Sequence, residues 1–594
     1  IIKDKINLIY IKQMKVSNVI YNRLLKHNIE HVFMYSGGSI MPLIDCFYNG
    51  PIKYYVNSHE QNCGHAATGY AKSTGKAGIS IVTSGPGVTN SITPLLDAKN
   101  DSTPFILLSG NVSLNAMGKD SFQEAPSVEI TKPVTKWSYC VTNLDEIEDV
   151  IDEAFFIAND KKKGSVHIDL PKCILTSDYN KTYKKNKINE INEIKLSNEY
   201  NHNFMDINKI VNIILNAKSP ILYVGQGCND AYKELRDLAI NYKIPVTTTL
   251  HALGIFDEDN PLALGMCGMH GSVASNYSLQ EADTIIAVGS RFDDRTTGNL
   301  DKYAPKCKNF IHINIEPNEI NKVINTNYNI VGDCKKILNI ILNNLNRGII
   351  NIDRNDWINK ILYWKKKYPF IYKSLDFNIK TQDVLIELNK QIKINSEKYI
   401  ITSGVGNHQM MTSQFITWKH PKSFISSGSL GVMGVGLPYA IGCQIGNPDK
   451  IVIDIDGDSS FLMTLSDLKT IVENNLPIKI LIMNNNSQDM VRVWETLFFN
   501  ERITATKNER NPNYSDLAKS FGLESLICNN INSLSKDLEY FLNYSNGPIL
   551  LQCDVIPDYC IPLVPPGKAL DEMVLYNNDF TLNIDTNKSN ECPS

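Results

Sequence analysis

Two downstream residues have the types and placement for metal chemistry. Asp458 closes Asp456-Gly457-Asp458, and Asn485 sits in Asn484-Asn485-Asn486. Each follows a short apolar run, residues 451–455 with one acidic interruption and residues 478–483 with almost none. Runs of this length bounded by polar turns read as strands buried on both faces of a parallel sheet. Between them, residues 462–472 repeat apolar side chains at helical spacing. Strand, helix and strand imply a right-handed crossover, which brings both strand ends to one edge of the sheet. Ligands of open α/β sheets bind at that edge. A carboxylate and an amide placed there can hold Mg²⁺, which takes hard oxygen ligands and usually a phosphate as well. An acidic turn beside an Asn-rich loop fits the same pattern, since Asn is abundant throughout the chain.

A third candidate lies far upstream. Glu60 stands in His59-Glu60-Gln61-Asn62-Cys63-Gly64-His65-Ala66-Ala67. The small residues Gly64, Ala67 and Ala71, with Tyr70, read as a closely packed helix with Glu60 at or before its first turn. An acid there also suits the helix dipole without any further role.

The elements that must position these groups alternate strand and helix along all 594 residues. Three blocks follow, at 14–176, 205–345 and 383–558, with a segment 559–594 after them. Strand-like runs occur at 79–83 and 104–108 in the first block and at 221–224, 284–288 and 310–313 in the second. The expected class is α/β, with three doubly wound parallel-sheet domains. Residues 177–203 and 351–373 are polar or charged connectors, and the tail from Tyr576 reads as loose.

Bulk properties narrow the partners. Hydrophobic residues make 43% and charged residues 21%, ordinary for a globular chain. A net charge of −4 offers no general attraction to nucleic acid or to an anionic membrane. No apolar stretch reaches the ~20 residues that span a bilayer. The 13 cysteines are scattered without CxxC pairs, which points to a reducing compartment and away from a zinc or disulfide scaffold. Cytoplasm, plastid and mitochondrial matrix all fit. The opening residues resemble neither a secretory signal nor clearly a transit peptide.

In combination and order, His59-Glu60-Gln61, Ser84-Gly85-Pro86-Gly87, Phe122-Gln123-Glu124, Gly457-Asp458-Ser459 and Asn484-Asn485 resemble the catalytic subunit of acetohydroxyacid synthases, the acetolactate synthases. The likeness runs from about residue 14 to 573. It implies a pyrimidine-binding domain, a central FAD-binding domain and a pyrophosphate domain. Thiamine chemistry needs a buried carboxylate on the aminopyrimidine ring, a diphosphate anchor and a bent cofactor. The resemblance gives Glu60 the first role. It makes Asp458 and Asn485 side-chain Mg²⁺ ligands, with Ser487 adding a backbone carbonyl. Gly457, Ser459, Ser460 and Met490 would also contact thiamine diphosphate. In Ser427-Gly428-Ser429-Leu430-Gly431-Val432-Met433, Gly431 would accept from the cofactor amino group and Met433 would force the bend. Val405, Gly406, Asn407 and His408 would form the diphosphate loop, Asn407 and His408 as donors. Gly38 would cross over the reacting carbon, Phe122 and Gln123 would line the acceptor pocket, and Lys172 would attract the substrate carboxylate. Trp494, with Met490, would shape the substrate channel, and residues 564–570 would close as a lid.

The middle block supplies the flavin contacts that the resemblance implies: Gly225, Gly227, Thr249, Leu250, Met269, His270, Gly289, Arg291, Asp293, Arg295, Asn314, Ile315, Asp333 and Cys334, with Lys162 from the first block. The guanidinium forks of Arg291 and Arg295 suit a diphosphate, although an ion-pair cluster with Asp293 and Asp294 explains them equally. The implied reaction joins pyruvate to a second pyruvate or to 2-ketobutyrate with loss of CO₂, at the start of valine, leucine and isoleucine synthesis. The family builds its site from the first block of one subunit and the third block of another, so a homodimer or homotetramer is expected, with a separate regulatory small subunit. A redox flavin enzyme such as a pyruvate oxidase and a non-catalytic subunit are the rival readings.

Departures from the family pattern are concentrated near the site. Met34 and Ser36 stand where Gly and Pro are usual, Ser113 where Pro is common, Asn407 where Gln is typical, and Ser459 where Gly or Ala is. Asp489 replaces a Gly before Met490, so backbone strain is expected there.

Overall fold

The computed structural model describes residues 14–179, 204–345 and 352–583. The polar connector 177–203 lies mostly outside them, as does the end of the tail. The chain divides into two compact units, Ile1–Asn198 and Glu199–Ser594.

The first unit holds one six-stranded sheet. Its strands are β1 (His31–Met34), β2 (Lys53–Val56), β3 (Gly78–Val82), β4 (Phe105–Asn111), β5 (Trp137–Cys140) and β6 (Ser165–Pro171), in the order β2-β1-β3-β4-β6-β5. Every pairing is parallel. Strands β3, β4 and β6 are buried along their whole length, as strands covered on both faces must be, and the buried polar residues His167, Asp169 and Asn111 are hydrogen-bonded.

The second unit holds two further parallel six-stranded sheets. The central sheet contains β7 (Pro220–Val224), β8 (Val246–Thr248), β9 (Ala263–Met266), β10 (Thr284–Val288), β11 (Asn309–Asn314) and β12 (Tyr328–Val331), ordered β12-β11-β10-β7-β8-β9. Alternate residues of its strands enter different cores. Leu222, Val224, Ile286 and Val288 pack on one face, and Ile221, Tyr223, Ile285 and Ala287 on the other. The last sheet contains β13 (Tyr399–Ser403), β14 (Phe424–Ile425), β15 (Ile451–Gly457), β16 (Lys479–Asn484), β17 (Glu524–Cys528) and β18 (Ile549–Asp554), ordered β14-β13-β15-β16-β18-β17.

Three expectations need correction. The helix read at 462–472 is broken into helices Asp458–Leu462 and Leu468–Glu473 with a 3-10 turn between them. Thr464 turns the chain there by donating its hydroxyl to the Gly434 carbonyl at 2.8 Å. The charged connector 351–373 contains a helix, Asn355–Lys367, that buries Trp357, Ile361 and Trp364. Those three share one face at helical spacing beneath a Lys-rich surface. Finally, segment 564–570 is seated on the central block. Val564 N–H donates to Met269 O and Asn299 N–H to Lys568 O, while Val564, Leu570 and Met573 join the core of the central sheet. The tail is ordered at least through the Tyr576–Leu582 bridge.

Candidate active site

In the first unit, the loops after β1, β2, β3, β4 and β6 all emerge at the carboxyl edge of one parallel sheet. Gly38 follows β1, Glu60 follows β2, Gly85 follows β3, Gln123 lies on the long connection after β4, and Lys172 follows β6. Glu60 is the first residue of helix Glu60–Thr74 and is buried. Its Oε2 accepts from Asn90 Nδ2 at 3.0 Å. His59 caps the same helix by accepting from Gln61 N–H. A Cβ on Gly37 would come within 2.4 Å of Thr83, whereas one on Gly38 would meet nothing within 4 Å. The glycine pair is thus packed on one side and open on the other. Gln123 sits at φ +59°, a left-handed conformation uncommon for a residue with a side chain, and its backbone abuts Gly85. Phe122 is 89% exposed, and Lys172 is exposed at the start of its short helix. Lys162 also belongs to this unit, in the turn after helix Ile147–Asn159, where its carbonyl accepts from Lys136 at 2.8 Å.

The last sheet assembles the metal candidates. β15 and β16 are parallel neighbours with Gly457 opposite Met483, so Asp458 and Asn485 leave the sheet at the same edge. Asp458 is buried, and burial pushes its carboxyl above the usual range. The donors that oppose this are Ser459 N–H at 2.8 Å on Oδ1, Asn508 Nδ2 at 3.4 Å and Asn511 Nδ2 at 2.5 Å on Oδ2, and the Ser487 backbone N–H. Asn485 Oδ1 accepts from Ser487 N–H at 3.1 Å, so the three proposed ligands form one cluster. Asn508 and Asn511 were missed in the sequence. An Asn-Pro dipeptide at 511–512 marks a turn, and only the fold brings it to Asp458.

Beside this cluster lies the loop after β13. Gly406, at φ +153°, precedes helix Asn407–Phe415 and leaves the helix start without a side-chain cap. His408 fills the space between Gly406 and Gly457, since a Cβ on either would come within 3.1 Å and 2.8 Å of its ring. Its Nε2 lies 3.3 Å from Asp456 Oδ1. Gly431 is at φ +71°, and a Cβ there would meet nothing within 4 Å. This leaves a bare carbonyl-bearing turn facing open space, next to the half-buried Met433. Gly434 N–H is held by Ser460 Oγ at 2.8 Å and Ser459 Oγ accepts from Asn508 at 2.6 Å. The loop, the metal cluster and the Gly431 turn are mutually braced. The expected strain at Asp489 is absent: it is the first residue of helix Asp489–Phe498, where an acid is favoured, and the left-handed residue of this loop is Asn486 at φ +54°. Asn407 is also not simply a free donor, because its Nδ2 is engaged by Asp489 Oδ2 at 3.0 Å and Asp558 O at 3.1 Å.

The flavin candidates gather at the carboxyl edge of the central sheet. Gly225, Gly227 and Gly289 are required by close packing of the loops after β7 and β10; a Cβ on Gly225 would lie 2.3 Å from Gly289 O. Arg291 donates to Ser429 Oγ at 2.6 Å and lies 3.9 Å from Asp293. Arg295 is largely exposed beside Asp294. Asp293 caps the next short helix through Thr296 N–H, and Asn314 donates to Ser290 O at 2.8 Å. Burial pulls His270 down to about 4, and its Nδ1 lies 3.2 Å from Cys560 O. Thr248 Oγ1 and Asn229 Oδ1 are buried without a partner at this edge, next to Thr249, Leu250 and Gly227. The half-buried Arg291, the exposed Arg295 and two unsatisfied polar atoms around a glycine turn fit a phosphate-bearing cofactor. Met269 and Ile315 are half-buried at the same edge. Asp333 caps helix Cys334–Leu345 through Lys336 N–H. The Cys334 side chain lies in the core, so only its backbone is available to a ligand.

Comparison with known proteins identifies the family. Residues 14–130 match the family model for the thiamine pyrophosphate enzyme N-terminal TPP binding domain, 207–341 the central domain, and 404–553 the C-terminal TPP binding domain. The chain is 40% identical over 583 residues to the mitochondrial acetolactate synthase catalytic subunit of Saccharomyces cerevisiae, covering 94% of this chain and 83% of that protein. It is 38% identical over 563 residues to the acetolactate synthase large subunit of Cyanidium caldarium, covering 93% and 95%. The chloroplastic acetolactate synthase 1 of Zea mays is 35% identical over 581 residues, covering 96% and 90%. The chain belongs to the thiamine pyrophosphate enzymes and, among them, to the catalytic large subunits of acetolactate synthase.

Proposed function

We propose that this chain condenses two molecules of pyruvate to 2-acetolactate and CO₂, or pyruvate with 2-ketobutyrate to 2-acetohydroxybutyrate, as the first common step of branched-chain amino-acid synthesis. Thiamine diphosphate, when bound, supplies the nucleophilic carbon and the electron sink. Glu60, with one oxygen fixed by Asn90, would hold and exchange a proton at its free oxygen toward the aminopyrimidine of the cofactor. The Gly431 carbonyl would accept from the cofactor's amino group, and Met433 would support its bound shape. Asp458, Asn485 and Ser487 would hold Mg²⁺ against the diphosphate, and His408 would donate to a phosphate oxygen. Gly38, open where Gly37 is packed, leaves room over the reacting carbon. In the first unit, Gln123 and Phe122 would line the acceptor pocket and Lys172 would draw in the keto-acid carboxylate; in the second, Trp494 would shape the substrate channel. Arg291 and Arg295 would meet the FAD diphosphate.

The observation that carries the reading is the buried Asp458 beside Ser487 and Asn485, next to the open, left-handed turn at Gly431. Relatives named catalytic or large subunits support a separate regulatory subunit. Those named mitochondrial or chloroplastic support residence in an organelle matrix or stroma. The test is acetolactate formation by the purified chain with and without thiamine diphosphate, beside Glu60→Gln. Turnover falls at least ~100-fold in the variant, with unchanged circular dichroism. Equal turnover of the two proteins would remove the mechanism.

A further inference from the structure

Helix Asp489–Phe498 carries Met490 and Trp494, yet among its ten residues only Asp489 and Val493 are buried. Leu497 and Phe498, toward its end, pack partly buried against Ile561, Leu563 and Val574. Most helical stability in proteins comes from packing an apolar face, and the first turn of this helix buries no apolar side chain. The anchor of that turn is a carboxylate.

The surroundings of that carboxylate are specific. Asp489 Oδ2 accepts from Asn407 Nδ2 at 3.0 Å and from Asp558 N–H at 3.2 Å. Oδ1 accepts from Arg492 Nε at 2.8 Å, one turn along the same helix. Burying a carboxylate is costly unless it is paired and hydrogen-bonded, and here both oxygens are satisfied. The three donors come from three places: the first residue of the helix after Gly406, the segment that follows β18, and the anchored helix itself. Asp558 is fastened in turn, by Lys380 Nζ at 2.9 Å and Gln382 Nε2 at 3.1 Å. Both Asn407 Nδ2 contacts are to protein, the second to Asp558 O at 3.1 Å, and its Oδ1 is buried without a partner.

We propose that Asp489 is a positioning residue that fastens the Met490–Trp494 helix to the diphosphate-loop helix and to the segment after β18, so that it sets the shape of the acceptor pocket, with Asn407 acting as its partner and not as a phosphate donor. This rests on the reading above only for what the pocket accepts; the fastening itself stands on the contacts. The charge is local, because Arg492 neutralises it on the side facing solvent. Without Asp489, the helix is held only from Val493 onward, with Leu497 and Phe498, and its first turn and the Trp494 ring gain freedom.

Two measurements separate the fastening from its consequence. Hydrogen exchange of the full chain, loaded with thiamine diphosphate and Mg²⁺, reports the first turn of the helix directly. In Asp489→Gly, the amides of residues 490–495 exchange about tenfold faster or more, and in Asp489→Asn, which keeps one acceptor oxygen, by less. Asn407→Ala accelerates the same amides, and the double variant with Asp489→Gly is no faster than the single glycine variant. Unchanged exchange, or additive effects in the double variant, overturns the fastening. The second measurement is the ratio of 2-acetohydroxybutyrate to 2-acetolactate formed from mixed keto acids. This ratio is independent of how much enzyme is active, so a merely structural loss does not move it. It shifts by about threefold or more in Asp489→Gly and by less in Asp489→Asn. A constant ratio with accelerated exchange overturns the assignment to acceptor choice. A wild-type chain that makes neither product removes the proposed function, and the exchange measurement still decides the fastening.

Discussion

Asp458 is held by more donors than a solvent-facing ligand would need. Ser459 N–H, Asn508 and Asn511 fix both of its oxygens, and Asn511 also donates to Asn484 Oδ1 at 3.2 Å. Groups behind a metal ligand orient it, and their loss typically costs 10–100-fold in metal affinity. Asn511→Ala is therefore expected to raise the Mg²⁺ concentration for half-maximal activity by at least ~10-fold, measured by titrating metal into chelator-stripped enzyme. An unchanged Mg²⁺ requirement would remove Asn511 from the metal site. Asp458, Asn485 and Glu60 could be found in the sequence because each sits at a strand or helix end within a short motif. Asn90, Asn508 and Asn511 could not, because their role depends on contacts with residues 30 or more positions away. Asp489 was legible as an oddity but not as an anchor. Its meaning depends on Asn407 and Asp558, which no local pattern joins to it.

At the level of elements, the strands were the readable part and the connectors were not. Continuous apolar runs such as 221–224 and 284–288, short and rich in β-branched residues, read as strands buried on both faces, and both are. Helix Asn355–Lys367 was hidden because its Lys residues dominate the composition while three apolar side chains carry its packing. Trp357 and Trp364 meet edge to face with centroids 6.0 Å apart, and Trp357 Nε1 donates to Pro220 O at 2.9 Å, at the start of β7. Truncating such a residue removes both burial and ring contact, a loss of about 3–5 kcal/mol. Trp364→Ala should accordingly lower the urea midpoint of the transition that reports the second unit. If the midpoint stays put, the helix is a surface ornament. Another joint lies between the central and last sheets, where Glu258 exchanges hydrogen bonds with Trp418: Glu258 N–H to Trp418 O at 3.0 Å, and Trp418 N–H to Glu258 Oε2 at 2.8 Å. Burial raises this carboxyl to about 8. Between about 4.5 and 8 the folded chain keeps a proton that the unfolded chain has lost, so stability falls as pH rises through that window. Glu258→Gln should flatten this part of the profile and raise the urea midpoint at pH 8, where the carboxylate of the unmodified chain is half ionised.

At the scale of the whole molecule, the acid side of the stability profile is set by buried histidines. Burial holds His65 and His167 near 3 and His270 near 4. An unfolded imidazole takes a proton near 6.5, so between about 4 and 6.5 the unfolded state binds more protons and stability rises with pH. Asp169, raised by burial to about 6, and Glu258 act in the opposite sense, so His167→Gln should make the urea midpoint rise less, or fall more, between pH 5 and 6.5. The check is the urea midpoint from pH 5 to 9.

Assembly is the last question at this scale, and it has a decisive test. Each unit presents large apolar side chains to solvent: Tyr48, Tyr54 and Phe122 on the first, Met463 and Val491 on the second. The family resemblance implies that Glu60 of one copy would serve cofactor held through Asp458 of another. Glu60→Gln and Asp458→Asn chains should each be inactive alone. In a mixed dimer, one site then receives both substitutions and the other receives neither. With equal amounts and random exchange in a two-fold dimer, half of the dimers are mixed and each has one intact site of two, so about a quarter of wild-type activity returns. If both residues served the same site from a single chain, every site in the mixture would carry one substitution and no activity would return, however thoroughly the subunits exchanged.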